Sequence, residues 1–438
     1  MHLGLDISLL NLEGAGLHTY TYQLLQHLAQ LDESPALTFI DGAGRSSRQQ
    51  LFGINKGLLT DARYVRMRAL PSIRSMRGPW RNRYIGFLPS VIDECILLPS
   101  WQWAEGTIAG PYMARWRLPY NVSVDLDVCH WPFDTLVRLP NVAHVVTIHD
   151  TIVLRNFQWH PYLYAWAHAR KLRLMARCAT RLIADSENTR CDMVNLLGVD
   201  SARIDVIPLA AGPEFHPPAD VDRDTYLATL ARYGLREGDY IICVGTIEPR
   251  KNLVRLAAGF KAAVERRPEL TTKLVLAGGK GWKMGPIERG LAEAGLGERL
   301  VLPGRASQED LPALLHGARA AAYVSLYEGF GLPPLEAMAC GTPVVASNNS
   351  SIPEVVGDAG LLVDPYDVEA IAAALGQVLT DDGLRAELAA RGLRRAARFS
   401  WARTAELTMQ TYRRALADHR LNGVPRESGS ARQALREM

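Results

Sequence analysis

No apolar run in the 438 residues reaches the roughly 20 that a membrane-spanning helix needs. The six cysteines, Cys95, Cys129, Cys178, Cys191, Cys243 and Cys340, form no C-x-x-C pair, and no zinc spacing is present. Several sit in apolar segments, where a free thiol packs as a small hydrophobe. The G-K-[ST] of a Walker loop is absent. The first residues run straight into a strand-like segment, so no signal peptide is expected. The formal net charge is only +3, which carries no nucleic-acid footprint. These absences describe a reduced, cytoplasmic chain with no nucleic-acid partner and no resident metal or cofactor. In such a chain the sequon Asn121-Val122-Ser123 has no consequence.

What is present is a globular composition, 48% hydrophobic and 22% charged, on a length that suits two or three domains. Short apolar runs alternate with helical stretches. The first set is Leu3–Ile7, Leu37–Ile40, Val142–Ile148, Arg181–Ala184 and Ile204–Ile207. The second is Tyr240–Val244, Lys273–Ala277, Leu300–Leu302, Ala320–Val324, Pro343–Ala346 and Gly360–Val363. Continuous apolar strands separated by helices indicate parallel sheets covered on both faces, the α/β doubly wound class. Pro208–Pro218, with four prolines and a glycine, separates the sets. The expected organisation is a Rossmann-like domain over 1–208, a linker over 209–219 and a second Rossmann-like domain over 220–400. A helix over 401–421 and a disordered polar tail over 422–438 follow. Ligands of such sheets bind at the carboxyl ends of the strands, so a cleft between the domains is the expected site.

Glu328-Gly-Phe-Gly-Leu-Pro-Pro-Leu-Glu336 follows one strand and enters an apolar helix start. Gly329 and Gly331 let backbone approach a ligand. The amides of Phe330, Gly331 and Leu332 and the helix dipole favour an anion or an array of hydroxyls. Glu328 falls on the loop and Glu336 on the first helical turn, and either carboxylate suits a vicinal diol. An ordinary capped helix start is the competing reading. Gly245-Thr-Ile-Glu-Pro-Arg-Lys-Asn252 leaves the first strand of the second sheet, which sets Arg250 and Lys251 where two cations would neutralise a leaving diphosphate. A solvated basic turn is the alternative there. Leu274–Gly279 and Val301–Ala306 are further strand-to-loop turns with room for a base or a phosphate.

Together these residues resemble the family 4 glycosyltransferases, which have the GT-B architecture of two Rossmann-like domains facing a central cleft. Glu328 to Glu336 is similar to the family's E-x7-E signature, and Gly245 to Asn252 to its phosphate turn. Ala184–Arg190, Val206–Leu209, Ala339–Pro343 and Ser400-Trp401 resemble further landmarks, the last preceding a helix that crosses back onto the first domain. The resemblance implies retaining, metal-independent transfer of a hexose, mannose or similar, from a GDP- or UDP-sugar co-substrate. The acceptor would be a saccharide or a polyprenyl-diphosphate-linked saccharide, in cell-surface polysaccharide or O-antigen synthesis. It implies that Glu328 and the following amides hold the sugar, Glu336 the ribose, Arg250 and Lys251 the diphosphate, and the backbone of Arg305 and Ala306 the base. Many relatives carry arginine where this chain has Thr246, and Arg250 is expected to stand in for it.

In the first half, Gly14-Ala-Gly16 resembles the family's glycine loop over the diphosphate, although as a dinucleotide fingerprint it is incomplete. His149, at the end of Val145–Ile148, resembles the family's histidine that orients donor or acceptor. Asp125-Leu-Asp127 has the spacing of a metal-holding D-x-D, but the domain pattern favours turn or strand-edge aspartates. Between Asp61 and Asp93 no acidic residue occurs, while seven arginines from Arg63 to Arg83 interleave with Tyr64, Trp80, Tyr84 and Phe87. Arg63–Phe87 is therefore a candidate peripheral contact with the inner membrane face. Two rival readings are a sugar-nucleotide epimerase of the same shape and a non-catalytic sugar-nucleotide-binding protein.

Overall fold

The computed structural model describes residues 1–6, 16–41, 63–66, 126–133, 139, 141–217 and 222–422. β-branched and leucine-rich runs form two sheets in which every pairing is parallel. The first contains β1 (His2–Asp6), β2 (Ala36–Asp41), β3 (Arg63–Arg66), β4 (Val128–Trp131), β5 (Ala143–Ile148), β6 (Arg181–Ala184) and β7 (Ile204–Val206), in the order β3-β2-β1-β4-β5-β6-β7. The second contains β8 (Tyr240–Val244), β9 (Lys273–Ala277), β10 (Leu300–Gly304), β11 (Ala320–Tyr323), β12 (Val344–Ser347) and β13 (Gly360–Val363), in the order β10-β9-β8-β11-β12-β13. Two doubly wound parallel sheets make the α/β, GT-B-type architecture. Strand order reverses beside β1 in one sheet and beside β8 in the other, which opens a crevice at the carboxyl ends of β1 and β4 and of β8 and β11.

The structure adds two strands that periodicity did not reveal. β3 is Arg-Tyr-Val-Arg at a sheet edge, where charged residues are tolerated because one side is unpaired. β4 is only four residues long and includes a histidine. Within the second sheet, helices Leu253–Glu265 and Val368–Thr380 pack so closely that a Cβ at Gly259 would lie 2.5 Å from Ile371 Cγ2. Helix Leu332–Ala339 begins directly after Gly331, whose φ of 124° suits glycine, and takes Pro333 in its first turn. Glu336 therefore lies in the second helical turn and not in the first, because the helix starts earlier than its apolar segment.

Helix Trp401–Asn422 packs on the first sheet and on helix Gly16–Leu28. His130, wholly buried on β4, bridges Tyr412 Oη at 2.7 Å and Thr147 Oγ1 at 2.9 Å. Burial, and secondarily the charge of His149, pushes His130 down to about 3, so it is neutral and serves both hydroxyls. The same helix grips the chain between the sheets: Trp401 Nε1 donates to Ala211 O at 3.1 Å and Thr404 Oγ1 to Pro208 O at 2.7 Å. Of Asp125 and Asp127 only the second is described, and its Oδ2 accepts from the His2 amide at 2.8 Å at the edge of β4. Most of Arg63–Phe87, Gly14, the sequon, Cys95 and the tail from 423 lie outside the described residues. No helix among the described residues is long and apolar enough to cross a membrane.

Tyr412→Phe strands the Nδ1 of a buried imidazole and is expected to cost roughly 1–3 kcal/mol in denaturant unfolding. An unchanged midpoint would show that His130 does not anchor this helix.

Candidate functional site

β8 and β11 are neighbours in the second sheet, so the turns that leave them meet although they lie far apart in sequence. The first turn is Gly245–Asn252. Gly245 has φ 143°, and a Cβ there would stand 3.2 Å from Lys251 Cε, so the lysine stem lies across the glycine. A Cβ at Gly278 would fall 1.8 Å from Gly245 O, which makes the approach of the β9 turn possible only for glycine. Asn252 donates its side-chain amide to Val324 O at 3.0 Å and to Pro365 O at 2.7 Å. The Leu326 amide donates to Arg250 O at 2.7 Å. The two turns thus form one rigid unit.

Glu328 is the junction. It is 9% exposed, and its carboxylate accepts from Lys251 Nζ at 2.8 Å and from Arg250 Nη1. Arg250 Nε also pairs with Glu248 Oε1 at 2.5 Å. Burial alone would push Glu328 up, but the charges of Arg250 and then Lys251 outweigh it and hold the carboxyl at about 2. Glu248, 1% exposed, moves the other way: burial raises it, against the pull of Arg250 and Lys251. Its Oε2 is buried without a partner. The cluster holds two cations and two carboxyls, so Glu328 acts as counter-ion to the pair Arg250 and Lys251.

The loop after Glu328 is stapled to the first domain. Ser186 Oγ and Thr189 Oγ1 donate to Gly329 O at 2.7 and 3.1 Å. A Cβ at Gly329 would lie 2.1 Å from His149 O, so the two backbones touch. Ser351 Oγ donates to Glu328 O at 2.9 Å and to Phe330 O at 2.6 Å. The amides of Phe330 and Gly331, by contrast, donate to no described group. Tyr327 Oη donates to buried Asp192 at 2.5 Å, and Asp192 also accepts from Thr151 at 2.9 Å and pairs with Arg155. From the second domain, Glu354 accepts from the Glu187 and Asn188 amides at 2.8 Å each, at the positive end of helix Glu187–Leu197.

His149 sits opposite Glu328. Its Nδ1 faces Asp185 Oδ2 at 2.6 Å and its Nε2 faces Pro132 O at 2.8 Å. Pro132 O can only accept and the Asp185 carboxylate accepts when ionised, an arrangement that favours a doubly protonated ring. Burial alone would lower its pKa; the adjoining Asp185 carboxylate reverses that and raises it. Neither nitrogen is left over to act as a base.

Glu336, on the helix that follows this loop, is half-buried, with no side-chain hydrogen bond among the described residues. Burial, and then the Glu214 carboxylate from the chain between the sheets, raises it to about 7. Ala306 is buried at the β10 turn, and Arg305 lies near Gly279, whose Cβ would stand 3.9 Å from Arg305 Cβ. Phe330 is buried edge-on to Phe399 at 6.0 Å. Gly16 opens helix Gly16–Leu28, while Gly14 lies outside the described residues. The structure therefore unites Arg250, Lys251 and Glu328, brings only the main chain of His149 against this loop at Gly329, and leaves Glu336 outside the ion-pair cluster. Sequence reading passed over Glu248, Tyr327, Asp185, Asp192, Glu214 and Glu354. Glu248 lies within the phosphate turn, Tyr327 adjoins the Glu328 loop, and Asp185 reaches His149 from the neighbouring strand end of the same domain; Asp192, Glu214 and Glu354 act on residues outside their own domain, which no local pattern reports.

Known proteins are similar in sequence and in fold. Residues 14–215 match the family described as Glycosyltransferase Family 4, and residues 231–395 match Glycosyl transferases group 1. The O-antigen chain mannosyltransferase B of Escherichia coli is 36% identical over 273 residues, which is 61% of this chain and 70% of that protein. The serotype-specific mannosyltransferase WbdA of Escherichia coli is 32% identical over 310 residues, 68% of this chain but only 35% of that larger protein. The crystal structure of Anabaena HepE in complex with UDP and glucose superposes with a TM-score of 0.65 at 15% identity, covering 94% of this chain and all of that one. The paired sheets and these matches define a glycosyltransferase of the GT-B type. Within that class, the chain belongs to glycosyltransferase family 4.

Two outcomes test this geometry. Glu328→Gln leaves buried Lys251 and half-buried Arg250 short of a counter-ion and is expected to lose about 3 kcal/mol at neutral pH. Because the folded pKa lies below the ordinary 4.5, this stability is present above that value and fades as pH falls toward about 2. The wild-type advantage in unfolding titrations should shrink across that window; a constant difference would contradict the ion-pair account. Gly329→Ala has no room against His149 and is expected to push the domains apart, seen as a larger radius of gyration in X-ray scattering with helix content unchanged.

Proposed function

We propose that the protein transfers a hexose, mannose or a close relative, from a nucleoside-diphosphate sugar to a saccharide or lipid-linked saccharide acceptor, with retention of configuration. The observation that carries the reading is the Glu328 carboxylate bridged by Arg250 and Lys251 at the crevice, on a glycine loop pressed against His149. The main barrier is charge developing on the leaving diphosphate. Lys251 is a buried and Arg250 a half-buried cation at that place, both held by Glu328, and the amides of Phe330 and Gly331 are oriented donors, so the step requires no metal. Glu328 keeps both cations in place and, through its loop, presents the sugar subsite. His149, held as an imidazolium, adds positive charge and positions Gly329 through its main chain; it is not assigned as base or nucleophile. Glu336 takes the ribose diol, and the backbone near Arg305 and Ala306 meets the base. Retention follows the family's mode of action.

The mannosyltransferase names of the Escherichia coli relatives favour a mannosyl donor and a role in cell-surface polysaccharide synthesis at the cytoplasmic side. HepE, with UDP and glucose, shows that this fold also serves uridine nucleotides. A thermal-shift panel of GDP, UDP and ADP ranks the bases, since only a ligand of the native state raises its midpoint. Transfer from GDP-mannose to a saccharide acceptor pool is the expected activity. Lys251→Ala is expected to reduce it by about 10²–10³. Near-normal turnover would remove Lys251 from the leaving-group site, and release of an epimerised nucleotide without acceptor would replace transfer by epimerisation.

An ionised Glu336 accepts from both ribose hydroxyls, whereas its protonated form gives up one acceptor oxygen to the proton. Since its free-state pKa is about 7, nucleotide affinity should rise as pH increases through that value and then level off. Calorimetric titration of wild type and Glu336→Gln checks this: the variant should be flat. A flat wild-type profile would contradict the ribose role.

A further inference from the structure

Helix Tyr162–Cys178 carries a surface that the donor site does not use. From Thr151 to Ala184 the chain has no acidic residue, yet it holds Arg155, Arg170, Lys171, Arg173, Arg177 and Arg181. Of the eight large hydrophobic side chains exposed among the described residues, three fall within five positions here: Tyr162 at 70%, Leu163 at 67% and Trp166 at 38% exposure. At helical spacing, Tyr162, Trp166, Arg170, Arg173 and Arg177 share one stripe, with Leu163 at its border. The opposite face is buried through Ala165, Ala169, Leu172, Met175 and Ala176, which fixes the stripe outward.

The stripe is graded. Its N-terminal end is aromatic and aliphatic and its C-terminal end cationic. Arg170 lies over the Trp166 ring at 5.4 Å, and no ion pair reaches Arg170, Arg173 or Arg177 among the described residues. A surface hollow of about 170 Å³ opens beside Trp166, between Phe157, Arg170 and Arg173. A protein partner's ordinary surface would offer mixed charge. Every charge that this helix carries is of one sign, beside rings that are apolar in body and polar at the edge, and that combination suits an anionic bilayer interface. The helix also starts beside the crevice: Trp282 Nε1 of the second domain donates to Trp159 O at 2.8 Å, three residues before Tyr162.

We propose that the Tyr162–Arg177 face docks on an anionic lipid surface, inserting Tyr162, Leu163 and Trp166 at headgroup depth and placing Arg170, Arg173 and Arg177 on lipid phosphates. The face is distinct in sequence from Arg63–Phe87 and independent of which sugar is transferred. It sets the crevice mouth at the membrane plane.

Flotation with vesicles tests it. The full chain should float with phosphatidylglycerol-containing vesicles and much less with pure phosphatidylcholine. Arg173→Ala with Arg177→Ala should weaken the anionic partition by about tenfold or more, since each basic residue near such a surface contributes about a factor of five. Tyr162→Ser with Leu163→Ser should leave only a partition that moderate salt abolishes. Both pairs are exposed, so unchanged thermal midpoints and nucleotide binding serve as controls for folding. Equal partition onto both vesicle types, or anionic partition that both pairs leave intact, overturns the proposal; the second result would move membrane contact to another part of the chain. Self-association that the Tyr162 and Leu163 changes abolish, with no vesicle binding, would assign the face to a second copy and equally overturn it.

Discussion

A carboxylate nine-tenths buried survives ionised only when paired, and Glu328 is paired twice. Arg250 and Lys251 come from the turn after β8, Glu328 from the turn after β11, and the parallel order of those strands is what lets them meet. Several local features follow from that requirement. Gly245 clears a path for the lysine stem, Gly278 lets the neighbouring turn close in, and Asn252 ties the first turn to the end of β11. Without the carboxylate, two desolvated cations would repel each other. Without the cations, the carboxylate would be protonated and the loop would lose its anchor.

The same residue lies on the domain boundary. Tyr327 on one side of it reaches Asp192, and Gly329 on the other accepts from Ser186 and Thr189 and abuts His149. Closure of the domains and arrangement of the charges are therefore one event in physical terms, since Glu328 cannot shift without disturbing contacts from both sheets. Glu354 adds a carboxylate at the positive end of a first-domain helix, which favours the same closed relation. Helix Trp401–Asn422, fixed by His130 and gripping Pro208 and Ala211, bounds how far the linker can swing.

Much of this was legible in the sequence. Apolar strands with helical spacers revealed eleven of the thirteen strands among the described residues, because buried parallel strands are apolar on both faces. β3 and β4 escaped because an arginine-rich edge strand and a short run interrupted by His130 have no such pattern. Arg250, Lys251 and Glu328 were visible as motif residues, but their mutual pairing was not, since contact between adjacent strands depends on sheet order. The imidazolium state of His149 needed Asp185 and Pro132 O in place, and the raised Glu336 needed Glu214; both are effects of distant neighbours. The exposed stripe on helix Tyr162–Cys178 required knowing which face of that helix the core takes.

The central claim is that Arg250 and Lys251, held by Glu328, receive the donor diphosphate. A crystal structure with a bound nucleoside-diphosphate sugar tests it most directly. The account predicts the β-phosphate within hydrogen-bond distance of both Arg250 and Lys251, with the ribose hydroxyls on Glu336 and the Glu328 carboxylate still in contact with Lys251. A diphosphate bound elsewhere, with the Glu328 network undisturbed and remote from it, would contradict the account.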